Sequence, residues 1–130
     1  MEQYGFRELK VWQRSMELTL EVYRVAKEMP ANERFGLTLQ LRRAAASVPT
    51  NIAEGNGRAH RGDYLRFLSI ARASLMEVDS ILELVERLDY VPTARLQRAR
   101  GLVAETRMML SALTQAISRA IPLHASLPET

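Results

Sequence analysis

The chain has no cysteine, which excludes a disulfide framework, a thiolate nucleophile and any cysteine-based metal site. Histidine is almost as scarce, present only as His60 and His124. Neither has a glutamate three residues before it, so the Glu-x-x-His pattern of a carboxylate-bridged metal centre in a helical bundle is missing. No metal and no cofactor is expected. No apolar run approaches the length that crosses a bilayer. The opening MEQYGFRELK is charged from the start, unlike a signal peptide. These absences point to a soluble, cytoplasmic protein without a membrane partner. Lysine is restricted to Lys10 and Lys27, so all the rest of the 18 basic residues are arginine. Arginine suits bidentate contacts with phosphate and carboxylate, although the codon usage of a GC-rich genome gives the same excess.

What is present reads as one all-α domain. At 130 residues, with 47% hydrophobic and 25% charged residues, the chain can bury a core of its own. Helical periodicity, punctuated by proline and glycine, gives four helices at about 8–29, 34–55, 61–88 and 92–121. Residues 122–130 read as a disordered tail. The connections are short, which favours an antiparallel up-down-up-down bundle.

The second helix carries the densest pattern. Gln40, Arg43, Ser47, Asn51, Glu54 and Arg58 recur at steps of three or four and share one face. Leu37, Leu41, Ala44, Val48 and Ile52 form an apolar stripe beside it. Pro49 falls inside this helix, removes a backbone donor and predicts a bend or local break with the helix continuing beyond it, Ser47 and Thr50 lying near the freed carbonyls. Gly55 and Gly57 read as the helix stop. On the third helix Ser74 lies within the apolar arc and Glu77 at its edge. A structural polar cluster is therefore expected, with Ser47, Asn51 and Ser74 hydrogen-bonded, Glu54 beside them, and Arg43 paired with a buried Glu77.

The first helix has two apolar stripes. One carries Leu9, Trp12, Met16, Leu20 and Tyr23, the other Val11, Leu18, Val25 and Met29. A helix at the edge of a monomeric bundle needs one such stripe. The second predicts a homo-oligomer whose interface includes Val11, Leu18 and Val25. Charge is uneven along the chain. Basic residues dominate Arg34–Arg72 and Thr93–Ala120, and acidic ones dominate Ala73–Pro92. Folding could gather the basic segments into one surface. The candidate phosphate-contacting side chains are Arg42, Arg58, Arg61, Arg66 and Arg72, with Arg95, Arg98, Arg100 and Arg107 on the fourth helix.

The run FGLTLQLRRAAASVPTNIAEG, followed by DYLRFLSIARASLMEVDSIL and LDYVP, resembles the bacterial four-helix-bundle family named after proteins encoded in intervening sequences of large-subunit ribosomal RNA genes. That family also includes the accessory variability determinant of diversity-generating retroelements. The resemblance covers roughly residues 6 to 120 and extends to Phe6–Gln13. It rests most specifically on Arg43, Ser47, Pro49, Asn51, Ile52, Ala53, Glu54 and Gly55. It implies an up-down protomer in a ring-like homopentamer. For the retroelement members it implies a basic surface for nucleic acid and a reverse-transcriptase partner. Family members often carry a Ser or Thr cap before helix 3, where this chain has Ala59-His60-Arg61.

Three functional classes follow. The first is a non-enzymatic, oligomeric protein whose arginines contact RNA or DNA phosphates without base specificity, or which serves as scaffold to a nucleic-acid enzyme. The second is an adaptor that binds protein alone. The third, an enzyme built on Ser47, Asn51, Glu54 and Glu77, lacks a group that titrates near neutral pH.

Overall fold

The structure, a computed structural model, describes residues 5–119. The predicted tail and the last residues expected in the fourth helix lie outside them. The described residues are helical without a strand: α1 (Lys10–Ala26), α2 (Leu37–Asn56), α3 (Arg61–Arg87) and α4 (Gln97–Arg119), with short 3-10 turns before α1, α2 and α4. Each helix packs on the next and α4 closes back on α1. Side-chain bonds fix the directions. Gln40 meets Glu77 and Ser47 meets Ser74, so α2 and α3 run antiparallel. Arg14 lies by Glu105 of α4, and Arg95, in the turn that enters α4, by Glu21, so α1 and α4 do too. The result is an up-down four-helix bundle.

The core is a column of leucine, isoleucine and valine, among them Leu18, Leu41, Ile52, Leu68, Leu75, Leu82, Leu96 and Leu110, all fully buried. Each such side chain contributes about 1.5–3 kcal/mol by leaving water. Val11, Leu18 and Val25 belong to this column, at 4%, 0% and 0% exposure. They are therefore not a surface left for a partner, which corrects the interface assigned from the sequence. The reason is the period. Ser15 and Val22, both fully buried, fill the gaps between them, so residues 11, 15, 18, 22 and 25 form one complete inward seam. Of the other stripe, Leu9 and Trp12 pack against this core, and Met16 36%, Leu20 54% and Tyr23 47% are exposed.

Pro49 does not break α2, which runs unbroken past it to Asn56. The carbonyl of Ala45, which Pro49 leaves without its helical donor, accepts a hydrogen bond from Thr19 Oγ1 on α1 at 3.1 Å. The next carbonyl, Ala46, accepts from Thr50 Oγ1 at 2.8 Å. Gly55 is likewise not a stop. It is buried inside α2, and a Cβ there would sit 2.9 Å from Phe67 Cβ and 3.0 Å from Tyr64 Cδ1 on α3. Its missing side chain sets how closely the two helices approach. The C-terminus of α3 closes with Asp89 at φ 58. There Tyr90 N–H bonds Val85 O and Asp89 N–H bonds Glu86 O, a Schellman turn with aspartate where glycine is usual.

Candidate nucleic-acid interface

The antiparallel fold sorts the arginines into two populations. At one end of the bundle lie the C-termini of α1 and α3 and the N-termini of α2 and α4. Here Arg24, Arg87, Arg95, Arg98 and Arg100 are engaged by carboxylates, whereas Arg34, in the turn before α2, lies over the Phe35 ring instead. Glu21 is 3% exposed and accepts from Arg95 Nη1 at 2.7 Å and from Arg24 Nη1 at 3.2 Å. Burial pushes its carboxyl up, but the hydrogen bonds and charges of Arg95 and Arg24 outweigh that, and its pKa lies below the ordinary value. Arg95 also bonds Glu28. Arg100 bonds Glu86 and, at 3.1 Å, Glu83. Glu83 accepts from Arg87 at 2.8 Å as well, and these two guanidiniums hold its carboxyl below the usual range. Arg98 sits more loosely, 3.7 Å from Glu17 and 3.9 Å from Glu21.

Glu33 completes this latched end. Its carboxylate accepts the Leu37 N–H at 3.0 Å, capping α2, and the Tyr90 hydroxyl at 2.8 Å, tying the α3–α4 connection to it. Those bonds lower the pKa of Glu33 and raise that of Tyr90. Arg95 and Arg100, named from sequence as phosphate contacts, are therefore occupied as internal braces, and Arg98 is partly so. Their partners come from elsewhere in the fold, and the acidic run of α3 is what neutralises Arg100.

From the middle of the bundle to the other end the pattern inverts, except at Arg14, which pairs with Glu17 at 3.0 Å and Glu105 at 3.1 Å. Among the described residues no carboxylate lies within ion-pair distance of Arg58, Arg61, Arg66, Arg72 or Arg107. All five are exposed. Arg58 and Arg66 each hold a guanidinium 4.7 Å from the centroid of the Phe67 ring. Such stacking orients the cation without neutralising it. Arg61 and Arg72 are about three turns apart and share the α4-facing side of α3. Arg72 and Arg107 line one depression between α3 and α4. On the outer α3 face between these two groups the exposed side chains include Gly62, Ser69 and Ala73, all small. Arg42 stands apart, half-buried on α2 with its guanidinium 5.6 Å from the Tyr23 ring centroid.

The polar cluster forms in part. Asn51 Nδ2 donates to Ser47 O and Oγ at 2.8 and 2.9 Å, and Ser47 Oγ lies 2.8 Å from Ser74 Oγ. The Arg43–Glu77 pair is absent among the described residues. Glu77 is exposed and accepts from Gln40 Nε2 at 3.2 Å, so it needs no countercharge, and Arg43 extends into solvent. Glu54 is exposed and outside the cluster. Two features escaped the sequence reading, namely the Phe67 ring as a seat for two guanidiniums and Glu21 as a buried charge. The second left a trace, since Glu17 and Glu21 on α1 and Glu28 just beyond it lie on one flank, which Arg95 and Arg98 at the start of α4 meet.

Among the described residues, no group of three or more His, Cys, Asp or Glu could hold a metal ion, and no helix is long and apolar enough to cross a membrane. In comparisons with known proteins, residues 7–112 match the profile of the 23S rRNA-intervening sequence protein family. A crystal structure from Bacteroides thetaiotaomicron VPI-5482, described as a protein with unknown function from the S23 ribosomal protein family, superposes with a TM-score of 0.75 at 23% identity. The alignment covers 81% of this chain and 95% of that one, a likeness of fold. No curated protein matches the chain.

Proposed function

We propose that this chain, which belongs to the 23S rRNA-intervening sequence protein family, is a non-enzymatic binding protein whose open arginine end contacts the phosphates of nucleic acid. One observation carries the reading: among the described residues Arg58, Arg61, Arg66, Arg72 and Arg107 are exposed without carboxylate partners, while Arg95 and Arg100 are consumed by ion pairs. Concentrating the uncompensated charge in one region yields a local positive field from a formal net charge of only +3. Small side chains between the arginines leave room for a phosphate backbone. Nothing in this arrangement reads base edges, so affinity without sequence preference follows. The test is retention of the full-length protein on immobilised RNA and DNA at two salt concentrations. Binding should fall steeply as salt rises. Retention that ignores salt, or none at low salt, overturns the proposal.

Homo-oligomerisation is part of the same reading, through a different face from the one the sequence suggested. Met16, Leu20 and Tyr23 form an exposed apolar stripe on α1, opposite the core seam. A second copy of the chain is the proposed occupant, because repetition around a closed ring multiplies the open arginine surface. Leu20→Asp should reduce the solution mass to that of one protomer, and an unchanged mass excludes this stripe. A scaffold role beside a nucleic-acid enzyme such as a reverse transcriptase fits the same surface.

A further inference from the structure

The depression between α3 and α4 has features that a phosphate-binding surface alone does not need. It encloses about 540 Å³ and is lined by Arg72, Arg107, Met108, Ser111, Ala112 and Gln115. No carboxylate is among them, whereas the α2–α3 groove contains Glu77 and a second groove on α4 contains Glu105. Arg72 and Arg107 come from facing helices, so a chain lying in the trough meets a guanidinium on each bank. Met108 is 71% exposed. An unbranched thioether at the mouth of a cationic trough packs well against the face of a planar aromatic ring. Ser111 and Gln115 add a hydroxyl and an amide able to donate and accept.

We infer that this trough is a track for single-stranded nucleic acid, with Arg72 and Arg107 on successive phosphates and Met108 against an unstacked base. This rests on the phosphate-binding reading above and adds the strandedness. The physical reason is what a duplex conceals. Its base faces are stacked on one another, so Met108 would find no ring to cover. A trough between packed helices, whose axes lie about 8–10 Å apart, admits one strand rather than two. Single-strand sites elsewhere combine a positive groove with side chains on which bases stack. Here the stacking surface is a methionine, and Arg61, about three turns along α3 from Arg72, extends the charged bank toward the open end.

The test is fluorescence anisotropy with the full-length protein at fixed low salt. The probes are a labelled oligouridylate of about a dozen nucleotides, within the site sizes of single-strand binders, and an RNA duplex of the same length. The oligouridylate should bind about tenfold tighter than the duplex, a difference of about 1.4 kcal/mol. Met108→Ser should weaken the single strand about threefold to tenfold and leave the duplex unchanged, and Met108→Phe should restore the single strand. Met108 is exposed, so these variants should fold, and circular dichroism checks that they do. Equal binding of the two probes, or a weakening by Met108→Ser that both probes share, overturns the track while leaving the phosphate reading intact. Absence of binding to either probe overturns both.

Discussion

The two ends of this bundle are built from the same residue type and put it to opposite use. At the latched end arginine is internal mortar: Arg95, in the turn before α4, bonds Glu21 of α1 and Glu28 just beyond it, and Arg100 joins α4 to the carboxylates of α3. Toward the open end Arg58, Arg61, Arg66, Arg72 and Arg107 are left to the solvent while Arg14 alone still pairs with Glu17 and Glu105 among the described residues there, and close packing sets Gly55 of α2 against Tyr64 and Phe67 of α3. Arginine content therefore says little about nucleic-acid binding by itself. What matters is whether folding delivers a carboxylate to each guanidinium.

The largest effect should come from breaking the latch. Arg95→Leu leaves buried Glu21 with Arg24 at 3.2 Å and Arg98 at 3.9 Å. Removing one member of a fully buried pair costs about 3–5 kcal/mol, and the partial exposure of Arg95 together with the remaining Arg24 and Arg98 should reduce this to about 2–3 kcal/mol. Chemical denaturation measures it, and nucleic-acid affinity should not change. The packing counterpart is Gly55→Ala. Its new methyl meets Phe67 Cβ, an atom held by the α3 backbone, so the helices must separate. A net destabilisation of about 1–2 kcal/mol is expected after the gain in helix propensity, again by denaturant titration.

Acid should discriminate between the ends. Glu21 and Glu83 have lower pKa values in the folded chain than the ordinary 4.5. A depressed carboxylate contributes stability that is fully present above its unfolded pKa and is lost as pH falls through the folded value. The melting temperature should thus hold at neutral pH and drop once the pH goes below about 4.5, with a shallower drop in Glu21→Gln. Hydrogen exchange should show the α1–α4 contact near Arg95 opening before the α2–α3 contact near Gly55. A smaller effect of the opposite sign is expected at Asp89, whose positive φ suits glycine. Asp89→Gly should stabilise by up to about 1 kcal/mol. Smallest in stability are the open arginines: Arg61→Ala or Arg66→Ala should change unfolding free energy by no more than about 0.5 kcal/mol.

How much of this was legible beforehand depended on whether a feature is local. Helix number follows from periodicity and the Pro and Gly breaks, and the Asn51–Ser47–Ser74 bonds follow from side chains that share facing helix surfaces. Val11, Leu18 and Val25 were misassigned to an interface because spacing alone does not reveal that Ser15 fills a core position between them. The fate of Arg95 could not be read at all from its neighbours, since Glu21 lies 74 residues away in sequence. Of nine arginines named as phosphate contacts, the fold leaves Arg58, Arg61, Arg66, Arg72 and Arg107 open, seats Arg42 over Tyr23, and binds Arg95, Arg98 and Arg100 to carboxylates. Pro49 is tolerated because Thr19 answers the carbonyl it abandons, a bond made between helices rather than along one.

The claim that position rather than number of arginines makes the binding surface is tested most directly by the salt dependence of RNA affinity in two variants. One carries Arg61→Ala, Arg72→Ala and Arg107→Ala, and the other carries Arg98→Ala and Arg100→Ala. Removing one arginine from the phosphates of a single strand should lower the slope of log affinity against log salt by about 0.7. The first variant should show a drop of about 2 in that slope and the second almost none. Equal slopes in the two variants, or a larger fall in the second, would contradict the division between the ends.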